Sequence, residues 1–371
     1  MNKNKKRFSG ELPFPLKYMD KFNKDYPYIW ETCDAYMKLV CDKFIWDSRA
    51  FCPLEVFREL VYGYNYQNKK QVQDVYVTSL CSIYNWKRYK QIYTFDKDFV
   101  NILIDSNIND DDIDIDSVIK TLPYNTFYID VDGESNIVID DLYVSNDKVI
   151  KGGAVTGFFI YFNTTIHEKT NSEKDKIFTT IHFDVYTKTG SFGYEVIVDE
   201  GLSISESFNR LRTDILTSSK NIEKSIQDFE SVESVVSKLL KLIMYICTIN
   251  SDVKKSSRQQ AIRNSAIVSN SKSVVNTANS VKLSDVGFTI GKAIRLYNKN
   301  TENDNNEDSE TTVITKSRKS TAKRPHIRRG HFHHYWIGKA DNRQLILKWV
   351  APTFIHVTNK ELIANITPVE L

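Results

Sequence analysis

Along the first 120 residues, apolar side chains recur three and four positions apart, the period of an amphipathic helix. In ETCDAYMKLVCDKF, Ala35, Leu39 and Val40 fall at helical spacing. VQDVYVTSLCSIYNWKRYKQIYTFD continues as a second amphipathic run through Val72, Val75, Leu80, Ile83 and Trp86. SNINDDDIDIDSVIK lacks the glycine and the closing glutamate of a calcium loop and reads as a helix start or a solvated loop. Between 125 and 200 the pattern changes to β-branched and aromatic runs. NTFYIDVDGESNIVIDDLYV alternates, with Asp132-Gly133 as a turn signal, and GAVTGFFIYFN and KIFTTIHFDVYTKTG follow. Four to six strands in antiparallel hairpins are expected there, with His182 in a structural role inside one of them.

Helical spacing then returns. Ser203 and Glu206 have the spacing of a capping box, followed by Ile204, Phe208, Leu211 and Ile215. A second helix is expected from about Asn221 to Ile249, with a stripe of Ile222, Ile226, Phe229, Val232, Val236, Leu239 and Ile243. This closes an α+β body over 1–249: helical to about 120, β-rich over about 125–200, helical over about 203–249. Residues 250–283 turn polar and read as a mobile linker. Residues 284–299 predict a short helical segment, and 300–322 a disordered linker that runs from acidic to basic. Residues 323–371 form a basic C-terminal β segment in which Leu345, Leu347 and Trp349 share one strand face, Pro352 ends that strand and another follows. The fold class is therefore α+β: a helical N-terminal region, a mainly antiparallel central sheet, further helices, and the C-terminal β segment.

Charge sharpens this picture. The 371 residues carry a formal net charge of only +3, yet Lys316 to Lys348 holds ten basic residues and one acidic residue, Asp341. That segment is +9 and the remainder is −6, so an anionic partner is expected at one end of the chain. Five cysteines are scattered without a CxxC pair and read as reduced, buried thiols. The basic N-terminus precedes no apolar signal region, and VVSKLLKLIMYICTI is too short and too charged to span a bilayer. A cytoplasmic protein without membrane contact is expected.

Four of the seven histidines lie within KRPHIRRGHFHHYWIG, Lys323 to Gly338. On a strand, His331 and His333 put both rings on one face. A zinc site needs three or four ligands, and no cysteine is near, so neither a metal nor another cofactor is assigned. Metal-free RNA cleavage can use two histidines as acid and base with arginines against the phosphorane, and His331, His333, Arg328 and Arg329 supply those groups. Nothing in the spacing requires catalysis, and ribonuclease activity is the alternative to a non-enzymatic role. Binding uses the same residues differently: Arg and Lys neutralise phosphates, and Tyr335 and Trp336 stack on unpaired bases. The competing arrangement packs Tyr335 and Trp336 inward against Trp349, and partial burial of both rings is expected.

KRPHIRRGHFHHYWIG…LILKWVAPTFIHV closely resembles the C-terminal signature of the second-described type V-A anti-CRISPR family, whose members occur on plasmids, phages and other mobile elements. The matching positions are Lys323, Arg324, Pro325, His326, Arg328, Arg329, His331, His333, Tyr335, Trp336 and Gly338; Phe332 replaces a usual Trp and Lys348 a usual Arg. YNWKRYKQIYTFDKDF, FYIDVDG, VIKGGAVTGFFIYF, LLKLIMYIC and IGKAIRLY echo the family in the same order. The resemblance implies recognition of the nascent N-terminal polypeptide of a type V-A CRISPR effector, or of another host protein, and lowering of its translation or messenger RNA. The residues expected to contact RNA or the ribosome are Lys323, Arg324, His326, Arg328, Arg329, His331, His333, Tyr335, Trp336 and Lys348. A direct protein-binding inhibitor with a purely structural C-terminal motif is a further alternative.

Overall fold

Both faces of the central sheet are apolar, and that decides the architecture. The structure, a computed structural model, describes residues 12–68, 71–108, 113–131, 133, 135–144, 148–169, 177–198, 200–218, 222–268, 272–307, 326–339 and 343–355. The N-terminal part supplies α1 (Phe14–Asp25), α2 (Ile29–Val40), the short β1 (Phe44–Ile45), α3 (Leu54–Gln67) and α4 (Val77–Trp86). Next come β2 (Gln91–Phe95), α5 (Lys97–Ile104), α6 (Ile115–Ile119), β3 (Thr126–Asp130), β4 (Val138–Ile139), β5 (Leu142–Val144) and β6 (Lys148–Ile150). The long strands are β7 (Gly153–Thr164), β9 (Thr179–Thr187) and β10 (Ser191–Ile197), with β8 (His167–Glu168) between the first two. Then follow α7 (Ile204–Ser218), α8 (Ile222–Cys247), β11 (Val253–Lys255), α9 (Gln259–Val268), α10 (Lys272–Ser280), β12 (Lys282–Val286) and α11 (Phe288–Glu307). The chain closes with β13 (His326–Arg328), β14 (His331–Ile337), β15 (Gln344–Val350) and β16 (Thr353–Ile355).

The sheet runs β10-β9-β7-β3-β2-β12-β11, with β4 paired beside β7. It is antiparallel except where β2 pairs in parallel with both β3 and β12. Strand β7 shows the logic. Phe158, Ile160 and Phe162 enter one core, while the intervening Phe159 and Tyr161 enter the other. A strand covered on both faces reads as a continuous apolar run rather than an alternating one. One core is closed by α5, α6, α8 and the end of the chain, and the other by α1–α4, α9 and α10.

Local capping agrees with the sequence. Ser203 and Glu206 form the expected box: the Glu206 N–H donates to Ser203 Oγ at 3.2 Å, and the Ser203 N–H donates to Glu206 Oε2 at 2.8 Å. Asp114 caps α6 by accepting from the Asp116 N–H at 3.0 Å, so the described end of the aspartate-rich stretch is a helix start. His182 is buried on β9, with Nδ1 3.0 Å from Glu195 Oε1 and its ring against Tyr161. Burial alone would raise Glu195, but its hydrogen bond and charge contact with His182 hold it below the ordinary glutamate value.

Several expectations are corrected. On α2 the buried face is Ile29, Trp30 and Cys33, while Ala35 and Leu39 are exposed, so the helix turns its N-terminal half rather than its C-terminal half to the core. The second amphipathic run ends at Trp86, and Gln91–Phe95 is instead a fully buried central strand. Lys90, at φ 54°, turns the chain between them. The stretch 250–283 is not a linker. Its sparse apolar residues are four apart, and Ile262, Ala266, Val274 and Ala278 bury themselves against the N-terminal helices. Of the helical segment expected over 284–299, 284–286 instead belong to β12, and the rest enters the longer α11, which starts at Phe288 and continues to Glu307, into the stretch read as disordered; 308–325 lie outside the described residues. Among the described residues the region 125–200 holds eight strands rather than four to six, several of only two or three residues. Cys33, Cys52 and Cys81 are buried, as expected of inert thiols, but Cys41 is exposed. Burial pushes the Cys33 thiol up to about 12. Among the described residues no helix is long and apolar enough to cross a membrane.

Candidate nucleic-acid interface

The C-terminal hairpin is held at its base and free at its tip. Strands β14 and β15 are antiparallel neighbours with Phe332 opposite Trp349, His333 opposite Lys348, and Trp336 opposite Leu345. Period-two alternation then places Phe332, Leu347 and Trp349 on one face, and all three are buried. The Trp349 ring packs edge-on against Phe99 and Tyr245 at 5.4 and 5.3 Å, and its Nε1–H donates to Ser106 Oγ at 3.2 Å. Two asparagines clamp the strands. The Phe332 N–H donates to the Asn107 carbonyl at 3.2 Å, and the Asn107 N–H donates to the Gly330 carbonyl at 3.3 Å. Asn250 Nδ2 donates to the Trp349 carbonyl at 2.8 Å, and the Trp349 N–H returns to Asn250 Oδ1 at 3.3 Å. Gly330 is required here, because a Cβ at this position would lie 2.9 Å from the Trp349 ring and 3.0 Å from the Val350 carbonyl.

The opposite face carries the candidate chemistry. His331, His333 and Tyr335 are exposed along one side of β14. Their rings follow one another, His331 to His333 at 6.5 Å and His333 to Tyr335 at 4.6 Å. Lys348 reaches over from β15, with Nζ 5.9 Å from the centre of the Tyr335 ring. Arg329 is exposed at the base. Toward the tip the hairpin outruns its support: Tyr335 is 40% exposed and Trp336, on the other face, 66% exposed. Gly338, at φ 102°, takes the chain out of β14. The inward packing of Tyr335 and Trp336 against Trp349 is therefore not what forms. Phe332 occupies that place, because it is the residue directly opposite Trp349 at the clamped end.

Of the other candidates, His326 and Arg328 lie on β13, paired with Ile355 and Thr353 of β16, while Lys323 and Arg324 fall outside the described residues. Thus Arg329, His331, His333, Tyr335 and Lys348 are brought together, and Trp336 projects from the reverse side. No acidic residue occurs among the described residues of 326–355. The imidazole rings of His331 and His333 make no hydrogen bond or ion pair among the described residues, unlike that of His182 with its Glu195. Among the described residues no three His, Cys, Asp or Glu side chains are grouped to hold a metal. Such a face offers cations to phosphates and rings to unstacked bases. The sequence signalled the basic and aromatic residues but not Asn107 and Asn250, which fix where the hairpin docks.

An α+β protein with a basic, ring-lined terminal hairpin is the class these features define. The chain belongs to the AcrVA2-like family, anti-CRISPR type V subtype A2, whose family model matches residues 93–357. A solved structure described as the crystal structure of AcrVA2 is similar over 93% of this chain and 100% of its own, with a TM-score of 0.56 and 17% sequence identity. No curated protein matches. Helices α1–α4 precede the stretch matched by the family model.

Proposed function

We infer that this anti-CRISPR family member recognises the nascent N-terminal polypeptide of a type V-A CRISPR effector, or of another host protein, and lowers its translation or messenger RNA. In this reading the C-terminal hairpin contacts RNA or the ribosome. The observation that carries the second part is the acid-free stripe of Arg329, His331, His333, Tyr335 and Lys348, with Trp336 exposed behind it. Family membership supports the anti-CRISPR part. Arg329 and Lys348 have no carboxylate partner among the described residues, which leaves their charge for phosphate, and exposed rings are available for stacking.

The test is sedimentation with ribosomes across a salt series. Arg329→Ala with Lys348→Ala is expected to weaken association and to flatten the plot of log affinity against log salt by roughly 0.7 to 0.9 per cation removed. An unchanged slope and unchanged co-sedimentation contradict the assignment. A ribonuclease reading draws on the shared face of His331 and His333, and purified protein incubated with RNA in the absence of ribosomes tests it directly. Cleavage lost in His331→Ala would favour that reading. Intact RNA with the wild-type chain removes it.

A further inference from the structure

The two edges of the central sheet are finished differently. One edge is β11, three residues long, with Lys254 and Lys255 exposed on it. Short strands and lysines are devices that keep a second chain from pairing with an edge. The other edge is β10, seven residues long, in unbroken register with β9 and without lysine, arginine or proline. Its one charged side chain, Glu195, is engaged on the sheet face by His182 Nδ1 at 3.0 Å and Asn163 Nδ2 at 3.2 Å.

The register fixes which backbone groups of β10 point away from the sheet. The Val198 N–H donates to the Thr179 carbonyl at 2.8 Å, and the Thr187 N–H donates to the Gly190 carbonyl at 2.9 Å. Hydrogen-bonded pairs alternate along an antiparallel ladder. Phe192, Tyr194 and Val196 therefore bond β9, while Ser191, Gly193, Glu195 and Ile197 turn their N–H and C=O outward. The Ile197 carbonyl agrees, because Ser207 Oγ of α7 donates to it at 2.9 Å. The outward groups of Ser191, Gly193 and Glu195 have no partner among the described residues, and Ser191 and Gly193 are exposed. Nor does the fold impose a glycine at 193. A Cβ there would meet nothing nearer than the His182 ring at 3.5 Å, an ordinary contact, and β10 carries no bulge. A glycine inside an edge strand leaves room for another backbone or for a large cross-strand side chain. At the Ile197 end a groove of about 530 Å³ opens, lined by Phe178, Ile197 and Leu202 and by Asn209, Arg210 and Thr213 of α7. A strand paired along β10 runs into it.

We propose that β10 takes up an extended segment of a polypeptide as the next strand of the sheet, with one of its apolar side chains in the groove beside α7. An extended backbone repeats a donor and an acceptor about every 7 Å, which is the spacing of the outward residues of β10. An emerging chain brings such groups unpaired, whereas a folded protein has already used them. That the polypeptide is a nascent one rests on the peptide-recognition reading above; the site and the extended conformation rest on the edge.

The test is amide hydrogen exchange on the full ¹⁵N-labelled chain. Without peptide, the amides of Phe192, Tyr194 and Val196 are expected to be protected and those of Ser191, Gly193 and Glu195 to exchange freely. The probe is a fluorescently labelled synthetic peptide carrying the N-terminal residues of a type V-A effector. On binding, exchange at Gly193 and Glu195 is expected to slow by roughly tenfold or more. Two further peptides carry N-methyl groups on alternate residues, one on the odd set and one on the even set. One is expected to bind like the parent and the other at least tenfold more weakly. Gly193→Pro removes one outward donor and keeps the bonds to β9; it is expected to abolish the slowing at Glu195, and Gly193→Ala to retain it. Outward amides already protected in the free chain, protection that grows with the chain's own concentration, equal binding of both methylated peptides, or Gly193→Pro behaving as Gly193→Ala overturns the proposal. Peptide binding that leaves exchange along β10 unchanged overturns this site and leaves the peptide-recognition reading standing. An absence of peptide binding overturns the site as well, and transcript levels in cells judge the peptide-recognition reading separately.

Discussion

The base and the tip of the C-terminal hairpin are built from the same kinds of residue and meet opposite fates. At the base, Phe332 and Trp349 face each other and are buried against Phe99 and Tyr245. At the tip, Tyr335 and Trp336 stand in solvent. An aromatic ring in the core contributes packing, whereas an exposed ring contributes little to the fold and remains free for a partner. The difference arises from the asparagine clamps, which tie down only the strand ends nearest α5 and α8. Aromatic content alone therefore does not locate a binding face; the position of the docked end does.

The comparison breaks first at Trp349. Trp349→Ala removes a fully buried ring and its hydrogen bond to Ser106, and is expected to cost about 3–5 kcal/mol, read as a lowered denaturation midpoint. Trp336→Ala should do the reverse. Its effect on stability is expected within about 0.5 kcal/mol, while binding to single-stranded RNA weakens by roughly 1–3 kcal/mol, measured by fluorescence anisotropy. Equal losses of stability in the two variants would erase the distinction between base and tip. Ser203→Ala, remote from the hairpin, is expected to cost about 1 kcal/mol through its helix cap and to leave RNA binding untouched.

The histidines extend the same contrast to pH. The folded-state pKa of Glu195 is depressed, so its contribution to stability is present above the unfolded glutamate value and is lost as pH falls through the lower folded value. Glu195→Gln should therefore lower the melting midpoint at neutral pH, with the difference from wild type shrinking in acid below the ordinary glutamate range. A pH-independent difference would mean that Glu195 acts only through packing. His331→Gln, on the exposed stripe, should leave the melting midpoint unchanged at neutral pH.

Much of the hairpin was legible in the sequence. The shared face of His331 and His333 and the inward set of Leu347 and Trp349 follow from strand alternation. The identity of the inward aromatic partner was not legible, because Phe332 and Trp336 lie on the same face and only the tertiary clamps choose between them. The sheet was legible where β-branched and aromatic runs were long, as in β7 and β9. It was illegible at β2, where Gln91–Phe95 continues a helical run and only parallel partners on both sides make it a central strand. Helices α9 and α10 were hidden by polar composition, since small residues such as Ala266 and Ala278 fill a core as well as large ones when the opposing helices approach closely.

The account turns on whether the chain acts on a protein as it is being made. Co-expression with a type V-A effector, following effector transcript, tests this most directly. The control is an effector whose first codons are frameshifted and then restored to frame, so that the message is nearly unchanged and only the N-terminal peptide differs. Transcript loss with the native N-terminus, and none with the altered peptide, is the predicted result. Equal transcript levels with and without the protein, or equal loss with both constructs of the effector, would contradict it.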